Sequence, residues 1–297
     1  MADIVTLSAG ELEADFAPGA GMVGCSLRHR AEELLGERGG LSAYVERGST
    51  FGIPLLHPWA NRLSGFSYRA AGHDVSIDPD DPRLHLDGNG LPIHGLLAAS
   101  PCWEVEEQGG GALRAVLDFG AHPDLLAAFP FPHRLELDVR LAASALTIST
   151  TLHATGDRAV PVSFGFHPYL RLPGVPRADW RVTLPAARHL VLDGRSIPTG
   201  DWEPFAGLAD EPLGDRIFDD SYCDLAAGRF VLAGGARRLT VTFLEGYRYA
   251  QVYAPADYDA VCFEPMTAPA DALRSGRGIT LAEPGDSYRA AFAIEVE

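Results

Sequence analysis

The chain contains no lysine, so all 24 of its basic side chains are arginines. Schiff-base chemistry and the anchoring of pyridoxal phosphate both need a lysine amine, and a Walker A loop needs the lysine of its Gly-Lys step. The composition therefore excludes these three chemistries. Side-chain amides are also scarce, and the full set is Asn61, Asn89, Gln108 and Gln251.

The chain also has few cysteines and no long apolar run. The four cysteines, Cys25, Cys102, Cys223 and Cys262, are far apart and form no C-x-x-C pair. This spacing argues against a structural zinc site and is typical of reduced thiols. No apolar run approaches the roughly 20 residues that span a bilayer, and the first residues lack the basic and apolar segments of a signal peptide. We therefore expect a cytoplasmic protein.

Acidic residues outnumber basic ones, and the net charge of −16 is spread along the chain without a basic block. A surface this negative repels the phosphates of nucleic acids and anionic membranes. We expect neither as a partner. The length of 297 residues permits one large domain or two small ones. Because no low-complexity linker interrupts the sequence, we expect a single domain over residues 1–297, as a monomer or weak homodimer.

The dominant pattern along the chain is an alternation of apolar and polar residues, with a period of two. Residues 134–142 and 145–153 alternate apolar and polar side chains around a very short turn, which predicts a β-hairpin. Further strand candidates are 239–243, 288–296, 67–77, 112–119, 159–166, 180–184, 229–233, 249–253 and 260–264. Helical candidates are few and short, the best being 122–129. The pattern predicts an all-β fold, a large antiparallel β-sandwich with few short helices. Residues 78–101 form a long irregular segment, and such loops are often functional.

Two short motifs each place one titratable side chain among aromatic residues beside a proline. Residues 165–170 read Gly-Phe-His-Pro-Tyr-Leu around His167, and residues 263–269 read Phe-Glu-Pro-Met-Thr-Ala-Pro around Glu264. A histidine and a carboxylate in one site can act as general acid and general base. Taken singly, a histidine or glutamate at the end of a strand is more often a structural residue with satisfied hydrogen bonds.

Other polar residues are also candidates for a ligand site. They are Asn61-Arg62 after an apolar segment, His94 before a glycine, Asp219 or Asp220, and Gln251 within a strand candidate. The structural alternative is that Arg62 is solvated, that His94 and the aspartate are turn residues, and that the Gln251 amide has hydrogen-bond partners in the core. Together with nearby aromatic rings, however, this mixture suits a polyhydroxylated ring. Sugars offer hydroxyls to charge-assisted hydrogen bonds and apolar C–H faces to aromatic surfaces.

In this order, the motifs Asn-Arg, His-Gly, Gly-Phe-His-Pro-Tyr, Phe-Asp-Asp-Ser-Tyr, Gln-Val-Tyr and Phe-Glu-Pro resemble the aldose 1-epimerase (galactose mutarotase) family. The resemblance extends from about Leu27 to the C-terminus. It implies the large antiparallel sandwich of that family, the galactose mutarotase-like supersandwich, with an open sugar cleft. It also implies interconversion of the α and β anomers of a free hexose, without a metal or other cofactor.

The resemblance implies a role for each candidate. Glu264 falls on the family's catalytic base and His167 on its catalytic acid, and because His167 must be protonated we expect a nearby carboxylate to raise its pKa. The sugar-binding positions fall on Arg62, His94, Asp219 and Gln251, with Asn61 as the neighbour of Arg62. Asp219 is preferred to Asp220 because it directly follows an aromatic residue, Phe218. The family commonly has a histidine where this chain has Asp220.

Three alternative functions compete with this interpretation. A metal-dependent β-sandwich or cupin-like enzyme would use His94, His167 and Glu264 as ligands, but such sites favour closely spaced histidines and the chain has no His-x-His. A carbohydrate-binding module without catalysis would need no acid–base pair. A hexose 6-phosphate 1-epimerase would need a cationic pocket, which Arg62, Arg171 or Arg248 could supply. From the net charge we expect a neutral hexose to be preferred, although one arginine can override net charge within the screening length of roughly 10 Å.

Overall fold

The computed structural model describes residues 3–297, and this part of the chain consists mainly of short strands. Those before residue 102 are β1 (Val5–Ala9), β2 (Leu12–Ala17), β3 (Val23–His29), β4 (Glu32–Glu33), β5 (Leu55–Leu56), β6 (Ser67–Ala70), β7 (His73–Ser76), β8 (His85–Leu86) and β9 (Pro92–Ile93). Those up to residue 170 are β10 (Glu104–Gly109), β11 (Ala112–Asp118), β12 (His133–Ala142), β13 (Ala145–Ala154), β14 (Val160–Val162), β15 (Gly165–Phe166) and β16 (Tyr169–Leu170).

The C-terminal part is built in the same way. Its strands are β17 (Arg181–Leu184), β18 (Ala187–Leu192), β19 (Pro198–Phe205), β20 (Leu208–Pro212), β21 (Phe218–Cys223), β22 (Arg229–Gly234), β23 (Arg237–Glu245), β24 (Tyr249–Ala254), β25 (Val261–Met266), β26 (Thr280–Ala282) and β27 (Ser287–Val296). The α-helices are α1 (Gly40–Arg47), α2 (Pro123–Ala128) and α3 (Ala272–Ser275), and the 3-10 turns are Pro18–Ala20, Phe119–Ala121 and Arg177–Asp179. None of the helices in residues 3–297 has the length and apolar character needed to cross a membrane.

Two large antiparallel sheets dominate the architecture. The nine-stranded sheet has the order β10-β11-β12-β13-β27-β23-β22-β17-β20, and the eight-stranded sheet has the order β19-β18-β21-β24-β25-β15-β5, with β16 also paired to β25. A four-stranded sheet, β1 to β4, and the pairs β6-β7, β8-β9 and β14-β26 complete the strand pairing.

The two large sheets pack face to face through aromatic side chains. Phe166 of the eight-stranded sheet lies 5.1 Å, between ring centroids, from Phe292 of the nine-stranded sheet. Phe263 and Phe230 make a second contact across the interface at 5.4 Å. All four rings are almost fully buried, and each contributes about 1.5–3 kcal/mol of burial free energy. The predicted all-β sandwich with few short helices is therefore confirmed.

The strongest hydrophobic alternation gave an accurate strand prediction. Strands β12 and β13 form the predicted hairpin with a continuous register from His133↔Ala154 to Ala142↔Ala145. The predicted helix at 122–129 is observed as α2. The strand candidate 67–77 is instead the hairpin β6-β7, because Ala71 and Gly72 both adopt left-handed backbone conformations, with φ of 44° and 81°.

Strand alternation also explains where polar side chains collect. Gln251 pairs with Glu264 and Tyr253 pairs with Cys262 across β24 and β25, so these residues share one face of the eight-stranded sheet. Asp219 on β21 pairs with Tyr253 and joins the same face. The intervening Phe263 packs into the core between the sheets. The functional candidates therefore lie on the face that points away from the core.

Candidate active site

A cavity of about 150 Å³ lies on this outer face of the eight-stranded sheet. Its lining consists of Arg38, Thr50, Asn61, Arg62, Ile93, His94, His167, Tyr169, Asp219, Tyr253 and Glu264. Six of the seven residues singled out from the sequence are thus gathered around one space. The seventh, Gln251, lies beneath it.

The centre of the cavity is the pair His167 and Glu264. The Nε2 atom of His167 lies 3.2 Å from Oε1 of Glu264, and the two residues are only 5% and 1% exposed. The ring of Tyr169 stacks on His167 at 4.3 Å between centroids, with its hydroxyl 3.4 Å from Nε2. The second carboxyl oxygen of Glu264, Oε2, makes no hydrogen bond within residues 3–297.

Burial controls the protonation of this pair. Burial raises the pKa of Glu264 well above its ordinary value; Asp219 adds to the rise and Arg62 opposes it. Burial also lowers the pKa of His167 well below its ordinary value, and the neighbouring His94 lowers it further. The expectation that a nearby carboxylate raises the pKa of His167 is therefore wrong for the free protein: the carboxylate is in place, but the loss of solvation dominates.

Both shifts favour the neutral forms, a protonated Glu264 and a neutral His167, so the pair then holds a single proton. At lower pH both groups are protonated, and at higher pH both are deprotonated. Because the two groups are in contact, their titration belongs to the pair and not to either residue. A single proton is what a site needs if one group is to donate while the other accepts.

Arg62 is held in place by two neighbouring side chains. Its Nε donates to Oδ2 of Asp87 at 2.8 Å, and its Nη1 donates to Oδ1 of Asn61 at 3.1 Å. Its Nη2 lies 3.8 Å from the carboxylate of Asp219. Burial alone would raise the pKa of Asp87, but hydrogen bonds from the backbone N–H of Leu91 and from Arg62 lower it. The sequence pattern did not identify Asp87, although this residue lies in the long irregular segment 78–101, and such loops are often functional.

The backbone at Asn61 and His94 is strained. Both residues adopt left-handed conformations, with φ of 56° and 65°, which non-glycine residues rarely do. The N–H of His94 donates to the carbonyl of Asn61 at 2.9 Å, so the two loops hold each other. Burial lowers the pKa of His94 to about 3, with Arg62 adding to the effect, which keeps the ring neutral. Backbone strain of this kind is concentrated at active sites and ligand-binding sites.

The two adjacent aspartates separate onto opposite faces of β21. Asp219 lines the cavity and accepts a 2.7 Å hydrogen bond from Nε2 of Gln251. Gln251 also accepts a hydrogen bond from the hydroxyl of Ser221, so both of its polar ends are used. Asp220 points away and lies 2.9 Å from Nε2 of His189. The structure therefore places Asp219 at the cavity and makes Gln251 its buried support.

Arg38 enters the cavity from the loop before α1, where the sequence offered no signal. Its guanidinium lies 5.6 Å and 5.5 Å from the ring centroids of Tyr169 and Tyr258. Its Nη1 is 3.4 Å from the hydroxyl of Tyr169, which also lies 2.7 Å from Oγ1 of Thr50. These contacts hold a cation at the cavity rim.

The arrangement suits proton transfer to and from a hydroxylated ligand. Neutral His94, Asn61, Arg62 and Asp219 present donors and acceptors around the His167–Glu264 pair. Across residues 3–297, no group of three or more histidine, cysteine, aspartate or glutamate side chains is arranged to hold a metal ion. The metal-enzyme alternative therefore lacks a recognisable ligand set in the described part of the chain.

Comparison with known proteins gives a consistent result. A family model described as aldose 1-epimerase matches residues 3–295. The Escherichia coli (strain K12) protein YihR, described as uncharacterized, is 24% identical over 311 residues, covering 99% of this chain and 89% of YihR. The Slr1438 protein of Synechocystis sp. PCC 6803 superposes with a TM-score of 0.81 at 23% identity, over 100% of this chain and 96% of that one.

A galactose mutarotase-like protein of Clostridium acetobutylicum superposes equally well. Its TM-score is 0.83 at 19% identity, and the match covers 98% of this chain and 94% of that one. At such identities the solved structures establish the fold. The predicted galactose mutarotase-like sandwich is confirmed.

Proposed function

The chain belongs to the aldose 1-epimerase family, and we propose that it interconverts the α and β anomers of an aldohexose by general acid–base catalysis. One observation supports this most strongly. A buried carboxylate and a buried imidazole lie 3.2 Å apart in a polar cavity, and one carboxyl oxygen is unpaired within the described chain. Such a pair can remove one proton from a sugar and supply another.

Ring opening needs two proton transfers and one bond cleavage, and ring closure reverses them. Glu264 removes the proton of the anomeric hydroxyl while His167 donates a proton to the ring oxygen. The C1–O5 bond breaks, its electron pair goes to O5, and the anomeric carbon becomes an open aldehyde. After rotation about C1–C2, O5 attacks the other face of the aldehyde. Glu264 returns its proton to O1 and His167 recovers its own, so both residues end as they began.

Sugar binding prepares the pair for this role. In the free protein the single proton of the pair is favoured on Glu264, because burial raises the pKa of the carboxyl and lowers that of His167. Hydroxyl groups that donate to the carboxylate favour its charged form, and Arg62 acts in the same direction. The proton then moves to His167, which becomes the acid for the ring oxygen.

The remaining cavity residues hold the sugar. Asn61, Arg62, His94 and Asp219 are placed to bind its hydroxyls. Gln251 acts through Asp219, to which it donates a hydrogen bond, and is a positioning residue. The ring of Tyr253 offers an apolar surface for the C–H face of the sugar.

A carbohydrate-binding module is the second candidate function, and the buried pair argues against it. Removing two ionisable groups from water is costly, and a module that only binds gains nothing from that cost. The two functions differ in turnover. A module would bind sugar without changing the rate at which its anomers equilibrate.

Polarimetry separates the candidates directly. Freshly dissolved α-D-glucose and α-D-galactose should lose their excess rotation at a rate that increases with protein concentration. His167→Asn should remove most of this acceleration, whereas Asp220→Asn, which alters a carboxylate outside the cavity, should retain it. Calorimetric binding of either sugar without any acceleration would establish the binding module instead.

A further inference from the structure

A second cavity of about 300 Å³ adjoins the catalytic one. The two share the lining residues Arg38, Thr50, Ile93 and His94. Apart from these shared residues, the lining of the second cavity takes no part in the proposed acid–base chemistry. Its remaining polar lining includes Arg47, Ser49 and His85. A substituent of the sugar can therefore extend from the catalytic cavity into a polar neighbour.

The second cavity carries uncompensated positive charge. Most arginines of this acidic protein lie within 4.0 Å of a carboxylate, as Arg62 does with Asp87 and Asp219. Arg38 and Arg47 have no such partner within residues 3–297. The side-chain contacts of Arg38 are with the rings of Tyr169 and Tyr258 and with the hydroxyl of Tyr169, and none of these groups is a carboxylate.

The two arginines come from one short segment of the chain and line the same cavity. Arg38 lies in the loop before α1 and is held over the rings of Tyr169 and Tyr258. Arg47 ends α1, and its Nη2 folds back to within 3.6 Å of the position that a Cβ atom on Gly39 would occupy. Both arginines therefore line the same cavity, Arg38 where it adjoins the catalytic one and Arg47 as an exposed side chain at the end of α1.

We propose that this second cavity is a subsite for an anionic substituent, a phosphate or a carboxylate, on a sugar carbon remote from the anomeric centre. This rests on the proposed epimerase function and narrows its substrate class. The planar fork of an arginine matches the oxygens of both anions in a bidentate manner. A neutral second sugar ring has no need of two arginines without acidic partners. The net charge of −16 opposes an anion at long range, but screening confines that effect to roughly 10 Å and the nearby arginines prevail.

Substrate comparison in one charge variant tests the subsite. We would measure kcat/KM for glucose, glucose 6-phosphate, glucuronate and maltose, with the spontaneous rate of each sugar subtracted. Arg47→Gln is the informative variant, because Arg47 lines the second cavity and not the catalytic one. Arg248→Gln is the matched control, since it removes an arginine that also lacks an acidic partner and lines neither cavity.

The native protein should favour at least one of the two anionic sugars over glucose by about tenfold or more, and which one it favours identifies the anion. Arg47→Gln should lower that preference by about tenfold, the loss expected for one charge-assisted hydrogen bond, and Arg248→Gln should leave it unchanged. The subsite is overturned if glucose is turned over with no preference for either anion, or if Arg47→Gln changes the ratio less than twofold. Preference for maltose over both anions would overturn it in favour of a second sugar ring. Failure to accelerate any of the four sugars would instead refute the epimerase function.

Discussion

Acidification from pH 7 to pH 5 should destabilise the fold through a buried histidine pair beneath the site. His57 and His133 lie with their Nε2 atoms 2.8 Å apart and are 1% and 0% exposed. The Nδ1 of His133 is 2.7 Å from the carbonyl oxygen of Phe131 and donates to it. One of the two Nε2 atoms must accept in this contact, so the rings cannot both be charged. Burial favours the neutral form of each, and in that state Nε2 of His133 accepts from the Nε2–H of His57.

The size of the effect follows from the pKa of His133, which burial lowers from 6.5 to about 4 even though the Phe131 carbonyl opposes the shift. Because the folded pKa lies below the unfolded value, the contribution to stability is present above pH 6.5 and is lost as the pH falls towards 4. Between pH 7 and pH 5 this amounts to about 2 kcal/mol. His57 adds in the same direction, because burial and then His133 lower its pKa as well.

Urea unfolding at the two pH values measures this directly. His133→Gln keeps a neutral polar side chain but cannot titrate, so its stability should fall by about 2 kcal/mol less than that of the native protein. His153→Gln on the adjoining strand is the control for the change of histidine to glutamine, because His153 is partly exposed and lies outside the buried pair. If the native protein were equally stable at both pH values, or if His133→Gln lost as much stability as the native protein, the reasoning would be refuted.

The pair also supports the site, since the carbonyl of His57 accepts the N–H groups of Leu96 and Leu97 at 2.8 Å and 3.3 Å. These residues lie two and three positions after His94. Acid should therefore loosen the loop that carries His94 before the rest of the fold unfolds.

Three further predictions concern the site itself. Asp87→Asn keeps the shape of the side chain but weakens its hold on Arg62, so kcat/KM should fall about tenfold; steady-state kinetics equal to the native protein's would show that Asp87 does not position Arg62. The pH profile of kcat/KM should be bell-shaped, with the acidic limb reporting a second proton on the His167–Glu264 pair and the alkaline limb loss of its single proton; an unaltered alkaline limb in His167→Asn would contradict this assignment. Exhaustive treatment with a chelator should leave polarimetric activity and the circular dichroism spectrum unchanged, whereas loss of activity restored by zinc, manganese or iron would revive the metal-enzyme alternative.

The sequence predicted those parts of the fold whose pattern is local. Strands β12 and β13 alternate cleanly because one face is buried, and the hairpin could be predicted from that alternation alone. Strand β19 is exposed at almost every position, so it carries no apolar period, and the sequence pattern missed it. The short helix α1 was missed as well.

In the candidate site, too, the residues that lie in local motifs could be predicted and the others could not. His167 and Glu264 lie in short motifs with aromatic and proline neighbours, which mark them without a structure. Arg38 and Asp87 come from loops. The contact of Arg38 with Tyr169 and that of Asp87 with Arg62 depend on how segments distant in sequence meet in the fold. The direction of the His167 pKa could not be inferred, because a neighbouring carboxylate and burial act in opposite senses and only the structure shows how deeply the ring is buried.

The central claim is that Glu264 is the base that opens the sugar ring. The most direct measurement is the polarimetric rate for α-D-glucose and α-D-galactose with native protein and Glu264→Gln, a change that preserves size and polarity but removes the base. The account predicts a folded variant that still binds sugar and whose rate falls by about two to four orders of magnitude. A folded Glu264→Gln protein with a near-native rate would contradict it.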